Sequence, residues 1–360
     1  MRRLILATLC SVLIGTASFV SAQSITGTTG TFTHGQGVTI SGSSFGTHTD
    51  YHTAANSGLA FAWENFESET SFSSGSATTG GFTPECNLAN CSTDWLISTT
   101  GNRTNSTKWA KRVDLHDEFA CNVDGMKKPY GSAASYSDVV FVSFWFRIPA
   151  TASSGKFYRQ WGGNSGGDTS IFWSATGGPD GFDFRGDDDL GNGPTPGGTQ
   201  FSTSAWQRVD FLQNGAALKA WIVGTNSNNS YWNWNTGQAR NNYFQAVIGS
   251  GKDYGEAATD YYGYDDIYIS FTQARVEICD TNTWPARTHC EIQIPTSWSS
   301  SSIEIRVNSG SFGSSDLAYL YVIDSAGAAS SGYAVQFGEG GETPAVRKLN
   351  NVTGVRVTLH

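Results

Sequence analysis

The sequence predicts an all-β protein made of antiparallel sandwiches. Short runs rich in Val, Ile, Phe, Tyr and Trp recur at regular spacing, and Gly- or Asn-rich turns divide them. No helical periodicity lasts longer than two turns. There are 42 glycines and only 15% charged residues, so turns are plentiful and helix formers scarce. The clearest run, Asp138–Ile148, alternates. Val140, Val142, Phe144 and Phe146 take one face; Phe141, Ser143, Trp145 and Arg147 take the other. Both faces carry bulk, so this strand is expected between two layers.

Residues 1–22 read as a signal peptide. Arg2 and Arg3 open it, Leu4 to Phe19 is apolar, and Val20, Ser21 and Ala22 form a small-residue cleavage site. No other run approaches the ~20 apolar residues of a membrane span, so no transmembrane span is expected. Leu9 stands where a lipoprotein site at Cys10 would want a small residue. A secreted, extracellular or cell-surface location follows.

Beyond the leader, the length suits about two domains. Residues 23–48 hold strands around Val38-Thr39-Ile40 but are too short to bury a core alone. Residues 273–338 supply strands at 274–278, 291–294, 303–307, 317–323 and 333–337, with turns at 295–298 and 324–327. Together these two segments have the strand number of one small sandwich. A free N-terminal hairpin beside a separate C-terminal sandwich is the alternative. Residues 49–272 form an insert, with strands at 138–148, 156–161, 170–173, 181–185, 206–213, 217–223, 242–248 and 265–271. Residues 339–360 read as a linker and a terminal strand.

Two resemblances give these segments names. Residues 35–46, Gly-Gln-Gly-Val-Thr-Ile-Ser-Gly-Ser-Ser-Phe-Gly, resemble the opening of a TIG/IPT immunoglobulin-like domain, and residues 317–338 resemble its close. The insert resembles the concanavalin A-like lectin/glucanase jelly roll over about residues 60–272. The residues that carry this are Phe141-Val-Ser-Phe-Trp-Phe-Arg147, Trp206-Gln-Arg-Val-Asp-Phe211 and Tyr264-Asp-Asp-Ile-Tyr-Ile-Ser270. The last is similar to a closing strand of laminin-G-like modules. The resemblance implies an antiparallel β-sandwich jelly roll inserted in a smaller Ig-like β-sandwich. It also implies a sheet face that accepts a carbohydrate chain. Shared fold does not settle shared activity.

The formal charge is −9, and loss of Arg2 and Arg3 makes it −11. No basic footprint for nucleic acid is present, and a polyanion partner would need a locally basic site. Cysteine usage fits an oxidising compartment. Cys279 and Cys290 are the expected disulfide, each beside a strand and closing a short loop. Cys86, Cys91 and Cys121 leave one thiol over, and their pairing stays open.

Sugars offer C–H faces to aromatic rings and hydroxyls to polar side chains. Tyr158, Arg159, Trp161, Arg185, Trp232 and Trp234 are the candidate ligand-binding residues, with Trp232 and Trp234 placed on a polar loop at the rim. Trp206, Arg208 and Asp210 line one face of their strand. Filling the core is the alternative for each aromatic. Asp253, Asp260, Asp265 and Asp266 are candidate ligands for Ca2+, against turn capping and solvation.

A glycoside hydrolase needs two carboxylates about 5 Å apart, and Glu64, Glu67 and Glu69 have the wrong spacing for the E-x-D-x-E pattern. A polysaccharide lyase acting on a uronate-containing glycan is the stronger enzymatic reading. Tyr243-Phe-Gln-Ala-Val-Ile248 is similar in part to an alginate-lyase strand, although Gln245 replaces its basic residue; Tyr243, Arg159, Gln160 and Arg185 would be its residues. Asn102, Asn105 and Asn351 head glycosylation sequons. The expectation is therefore a carbohydrate-binding, lectin-like protein acting on extracellular polysaccharide, with a lyase as runner-up and a structural or adhesive surface protein third.

Overall fold

The computed structural model describes residues 22–48, 61–73, 75–85, 95–113, 125–130, 139–148, 155–164, 167–175, 182–186, 202, 205–215, 217–223, 231–235, 243–249 and 261–338. For 155–157, 161–164, 167–175, 182–186, 231–235, 243 and 244 only the backbone is described. Residues 1–21 and 339–360, with Cys86, Cys91, Cys121, Asp253 and Asp260, lie outside the described residues.

The regular structure of the described residues is antiparallel strand, apart from a single 3-10 turn at Trp284–Ala286. A six-stranded sheet runs β11-β10-β9-β15-β7-β4. Its members are β4 (Thr83–Glu85), β7 (Gly125–Pro129), β9 (Gly155–Asn164), β10 (Gly167–Ala175), β11 (Phe182–Gly186) and β15 (Tyr243–Ile248). An eight-stranded sheet contains β5 (Trp95–Ser98), β6 (Trp109–Arg112), β8 (Val139–Arg147), β12 (Trp206–Asn214), β13 (Ala217–Val223), β14 (Tyr231–Asn235) and β16 (Tyr262–Ser270), and β3 (Ala62–Glu64) pairs with β16.

These two sheets face each other across one core. Val140, Val142, Phe144 and Phe146 of β8 meet Met126, Tyr158, Ala246 and Ile248 of the six-stranded sheet. Each Val, Phe, Met or Ile among them contributes about 1.5–3 kcal/mol on full burial. The opposite face of β8 is also covered. Phe141 packs with Leu212, Tyr268 and Ile292. Ile292 belongs to a third layer, which explains why both faces of this strand carry bulk.

That layer is a seven-stranded path, β1-β2-β19-β18-β17-β20-β21. It comprises β1 (Ser24–Gly30), β2 (Gly37–Ser43), β17 (Arg275–Cys279), β18 (Cys290–Trp298), β19 (Ser302–Arg306), β20 (Leu317–Ile323) and β21 (Tyr333–Gln336). Ile40 pairs with Ile303 and Val38 with Ile305, so strands from both ends of the sequence share a sheet. They also share a core with Val276, Ile278, Leu320, Val322 and Val335. The long strand β18 joins the halves: Cys290–Gln293 pairs with β17, and Ile294–Trp298 with β19. A turn at 295–298 is therefore not found. The strand continues through Pro295 to Trp298, with an irregularity between Pro295 and Ser297.

The polar loop expected at 228–235 is likewise corrected. Tyr231–Asn235 is the edge strand β14, and positions 232 and 234 pair with Ala220 and Leu218, which face the shared core. Trp-Asn-Trp-Asn was a strict two-residue alternation. The asparagines hid it.

A disulfide joins Cys279 and Cys290, opposite each other on β17 and β18. It packs with Val223, Tyr321 and Ile323.

Two buried arginines fasten the layers together. Arg208 of β12 places Nη2 2.8 Å from Asp210 Oδ2 and Nη1 2.8 Å from Glu277 Oε2 of β17. Arg275 Nε lies 2.6 Å from the other oxygen of Glu277. Arg103, from the loop 99–108, donates to Asp266 at 2.7 Å and to Glu291 of β18 at 2.6 Å. Asp265 lies 3.7 Å from the same guanidinium. A bulge in β16 lets both aspartates meet it: the register shifts between Asp265 and Tyr268, and Asp266 has φ 48°. Trp145 completes the set. Its Nε1 donates to Glu291 Oε2 at 3.0 Å, and Arg103 lies 4.0 Å over its ring.

Burial pushes the Glu277 and Glu291 carboxyls up, but the arginines outweigh it. Arg208 and Arg275 hold Glu277 well below the usual carboxylate range, and Arg103 holds Glu291 at about 2. Burial and the Asp266 charge push Asp265 up instead, and burial raises Asp266.

Two outcomes follow. Reducing Cys279–Cys290, which closes a separation of 11 residues, should remove about 3 kcal/mol in urea unfolding; an unchanged midpoint with fully reduced thiols would refute this. Glu277 and Glu291 have folded values below their ordinary 4.5, so their stabilisation is full above pH 4.5 and is lost as pH falls toward about 2. The aspartates, shifted upward, oppose this above their ordinary 3.8, so the loss is steepest below it. A urea midpoint that stays flat between about pH 3.8 and 2 argues against the seam as a source of acid sensitivity.

Candidate functional site

The loop 99–108 positions a partly open cluster of aromatic and cationic side chains. It is held at both ends of its span. Arg103 pins it to the third layer, as above. Glu67 accepts from the backbone N–H of Thr107 at 2.7 Å and of Lys108 at 3.2 Å, and from both neighbouring hydroxyls, Ser106 and Thr107. Fixed this way, the loop offers its carbonyls to the sheet. Thr100 O accepts from Trp109 Nε1 at 2.9 Å. Gly101 O accepts from Trp206 Nε1 at 2.9 Å and from Arg147 Nη1 at 3.0 Å. Gly101 has φ +69°, and a Cβ there would lie 2.5 Å from Arg147 Nη1.

The side chains so placed form a strip on the outer face of the eight-stranded sheet. Arg147 pairs with Trp206 on one side and Gly263 on the other, and Gly263 and Leu96 both pair with Lys111. The Trp109 and Trp206 rings meet nearly at right angles, with centroids 5.4 Å apart. Tyr261 packs on Trp109 at 5.6 Å. Lys111 Nζ lies 4.4 Å from the Tyr261 centroid, and the Arg147 guanidinium 5.9 Å. Gly263 is the gap that admits the rings: a Cβ there would sit 2.9 Å from Trp206 and 3.0 Å from Trp109. Trp206, Tyr261, Lys111 and Arg147 remain half-exposed, and Leu96 is exposed.

The residues singled out from sequence are scattered by the fold. Tyr158 is buried between the sheets against Phe144 and Phe211, and its hydroxyl donates to Gln160 Oε1 at 2.9 Å. Gln160 reaches across the core to Gln213. Neither lines a groove. Burial pushes the Tyr158 phenol up. Arg159 lies on the opposite side of β9, paired with Val247, which in turn pairs with Lys127. Arg159 and Gln160 therefore cannot act together at one lyase centre, because neighbouring strand positions face opposite ways. Arg159, Lys127 and Gln245 are all buried, so the face is covered there, not open. Trp161 lies opposite Gln245, Arg185 opposite Phe172, and Tyr243 opposite Gly162.

Arg208 and Asp210 share the outer face with Trp206, as their alternation required, but they are buried in the seam. Asp265 and Asp266 are the counter-charges of Arg103, and a cation at that point would meet the guanidinium; they are corrected to ion-pair partners. Tyr261, Lys111 and Trp109 went unnoticed in the sequence. The signal available was the pairing of aromatic and basic residues in Trp109-Ala-Lys111, too short a run to read as a strand.

A second recess, of about 320 Å³, opens at the seam beside His34, Trp63, Glu64, Asn65, Thr79 and Arg306. Its carboxylate is committed: Glu64 accepts from the Phe66 and Gly80 N–H groups, each at 2.7 Å.

No family model matches the chain, and no curated protein matches it. Solved structures do. The Caenorhabditis elegans galectin LEC-6 is 10% identical, with a TM-score of 0.30 over 44% of this chain and 99% of its own. The Ruminococcus gnavus IT-sialidase CBM40, solved with α2,3-sialyllactose, is 9% identical, with a TM-score of 0.29 over 41% of this chain and 86% of its own. The botulinum neurotoxin serotype D binding domain is 12% identical, with a TM-score of 0.28; the match covers 47% of this chain and 38% of that one. At these identities the likeness concerns strand arrangement and assigns no side chain.

Gly263→Ala should push Trp206 off Trp109, costing about 1–3 kcal/mol of stability and changing the near-ultraviolet dichroism of the tryptophans. Unchanged dichroism and stability would show that the rings do not depend on this gap.

Proposed function

We propose that the protein is a secreted, lectin-like carbohydrate-binding protein, and that the strip of Trp206, Tyr261, Lys111 and Arg147 receives the sugar chain. The observation that carries this reading is two half-exposed aromatic rings flanked by two cations on a flat sheet face. Rings of this kind cover sugar C–H faces, while Lys and Arg donate to hydroxyls or acids. An open strip suits a polymer passing over it, whereas a closed pocket suits a small molecule. The galectin and the sialidase module resemble this chain in strand order only, and no residue of the reading is taken from them.

Segments 23–48 and 273–338 are proposed as one Ig-like, TIG/IPT-like base, with residues 49–272 as a jelly roll inserted in it. The pairing of β2 with β19 supports that division. Export is supported by the leader pattern at 1–22 and by the Cys279–Cys290 disulfide, which persists in oxidising compartments.

A screen against polysaccharides, read by both calorimetry and ultraviolet absorbance, tests the reading. Binding without new absorbance is expected. New absorbance from an unsaturated product would make it a lyase, and neither signal would leave an adhesive or structural role. Tyr261→Ala should weaken binding about tenfold, ~1.4 kcal/mol. The melting temperature should move little, since its hydroxyl bonds no protein group among the described residues. Undiminished affinity in that variant would place the sugar elsewhere.

A further inference from the structure

We infer that the strip selects an anionic glycan, one bearing carboxylate or sulfate groups. This rests on the glycan-binding reading of the same strip and adds the charge of the ligand. The chain as a whole carries −9, yet this strip is cationic. Among the described residues, three of the buried arginines, Arg103, Arg208 and Arg275, hold carboxylates within 2.8 Å. Lys111 and Arg147 hold none. Lys111 has three N–H donors, and no protein acceptor among the described residues meets them; its one recorded contact is the Tyr261 ring at 4.4 Å. Arg147 has five N–H donors and commits one, on Nη1, to Gly101 O.

Both cations stand over the same Tyr261 ring, so their positions are tied to the surface on which a sugar would lie. A ring face compensates a cation only weakly at an exposed site. The Arg147 Nε is buried, so an acid group on a bound chain would meet the Lys111 ammonium and the terminal Arg147 N–H groups, with charge-assisted hydrogen bonds. A neutral chain would use the aromatic surface and leave both charges unmatched. Arg147 also has a fixed direction, because Gly101 O accepts from its Nη1. This makes Arg147 the orienting cation and Lys111 the adaptable one.

The test uses the full-length exported protein and three probes: polygalacturonate, a sulfated galactan and a neutral galactan. Affinities are measured from low to high salt for wild type, Lys111→Gln, Arg147→Gln, Arg147→Lys and Tyr261→Ala. Expected is tighter binding to one or both anionic probes than to the neutral one, with affinity falling as salt rises. Lys111→Gln should weaken anionic binding about fivefold and flatten its salt dependence, and should weaken neutral binding less. Preference between the two anionic probes then tells carboxylate from sulfate. Arg147→Lys retains the charge, so it separates loss of charge from loss of the Gly101 bond. Salt-insensitive binding of the neutral galactan, lost in Tyr261→Ala, would overturn the anionic inference while the glycan reading stands. Anionic binding that ignores Lys111→Gln and both Arg147 variants overturns it as well. No binding to any probe, with Tyr261→Ala indistinguishable from wild type, would remove the glycan reading and this inference with it.

Discussion

The guanidinium of Arg103 is the point on which the rest of the molecule turns. It stands at the meeting of three pieces of structure: the loop that carries it, the bulged strand β16 that supplies Asp265 and Asp266, and the third-layer strand β18 that supplies Glu291. A buried arginine costs several kcal/mol in desolvation, and only near-complete pairing offsets that. Here the pairing comes from residues far apart in sequence, so it forms only when all three pieces are in place. The same guanidinium lies on Trp145, whose indole N–H also donates to Glu291. Charge, ring and carboxylate thus fix one another. Removing Arg103 would leave three carboxylates facing each other in the interior.

Arg208 repeats the logic further along the seam, with Asp210 from its own strand and Glu277 from β17. An apolar seam of equal area would bind at least as strongly. What two separated ion-pair clusters add is a single register. Sliding one layer over the other by a strand spacing would unpair both arginines at once, whereas Phe141, Leu212, Tyr268 and Ile292 would find other apolar neighbours. The seam also decides which surface stays available. It covers the part of the eight-stranded sheet that carries Ser143, Trp145, Arg208 and Asp210, and it leaves open the next row, Trp206, Arg147, Gly263 and Lys111.

Much of the fold was legible because local pattern and burial agree. The alternation in Val139–Arg147 gave the strand, its two faces and its place between layers. Leu317–Ile323 was read to the residue, and Cys279 with Cys290 was read from a short loop flanked by strands. The misses have physical causes. The strands β3 to β7 have only three to five residues each, too few for a period to register. Pro295 looked like a strand end, but a sheet-switching strand tolerates a proline at its irregular point. The site was the least legible part. Tyr158 and Gln160 have the composition of a groove, yet a tyrosine hydroxyl and two glutamine amides satisfy one another inside the sandwich. Asp265 and Asp266 have the composition of a cation site, and only the distant Arg103 shows that their countercharge is a side chain. Alternation tells which residues share a face, not which face a later segment will cover.

The strip owes its geometry to this covering. Its two indole rings, Trp109 and Trp206, sit on strands, and their N–H groups are already bonded to Thr100 and Gly101. A ligand that stacks there pays little ordering cost, because Trp206 and Arg147 are held before it arrives. The hold is indirect. Gly101 sits two residues from Arg103 in a loop clamped by Glu67 and by the buried ion pairs of the third layer. Through one loop the third layer thus helps set the direction of the half-exposed side chains. A change in that seam would reach the strip without touching any residue on it.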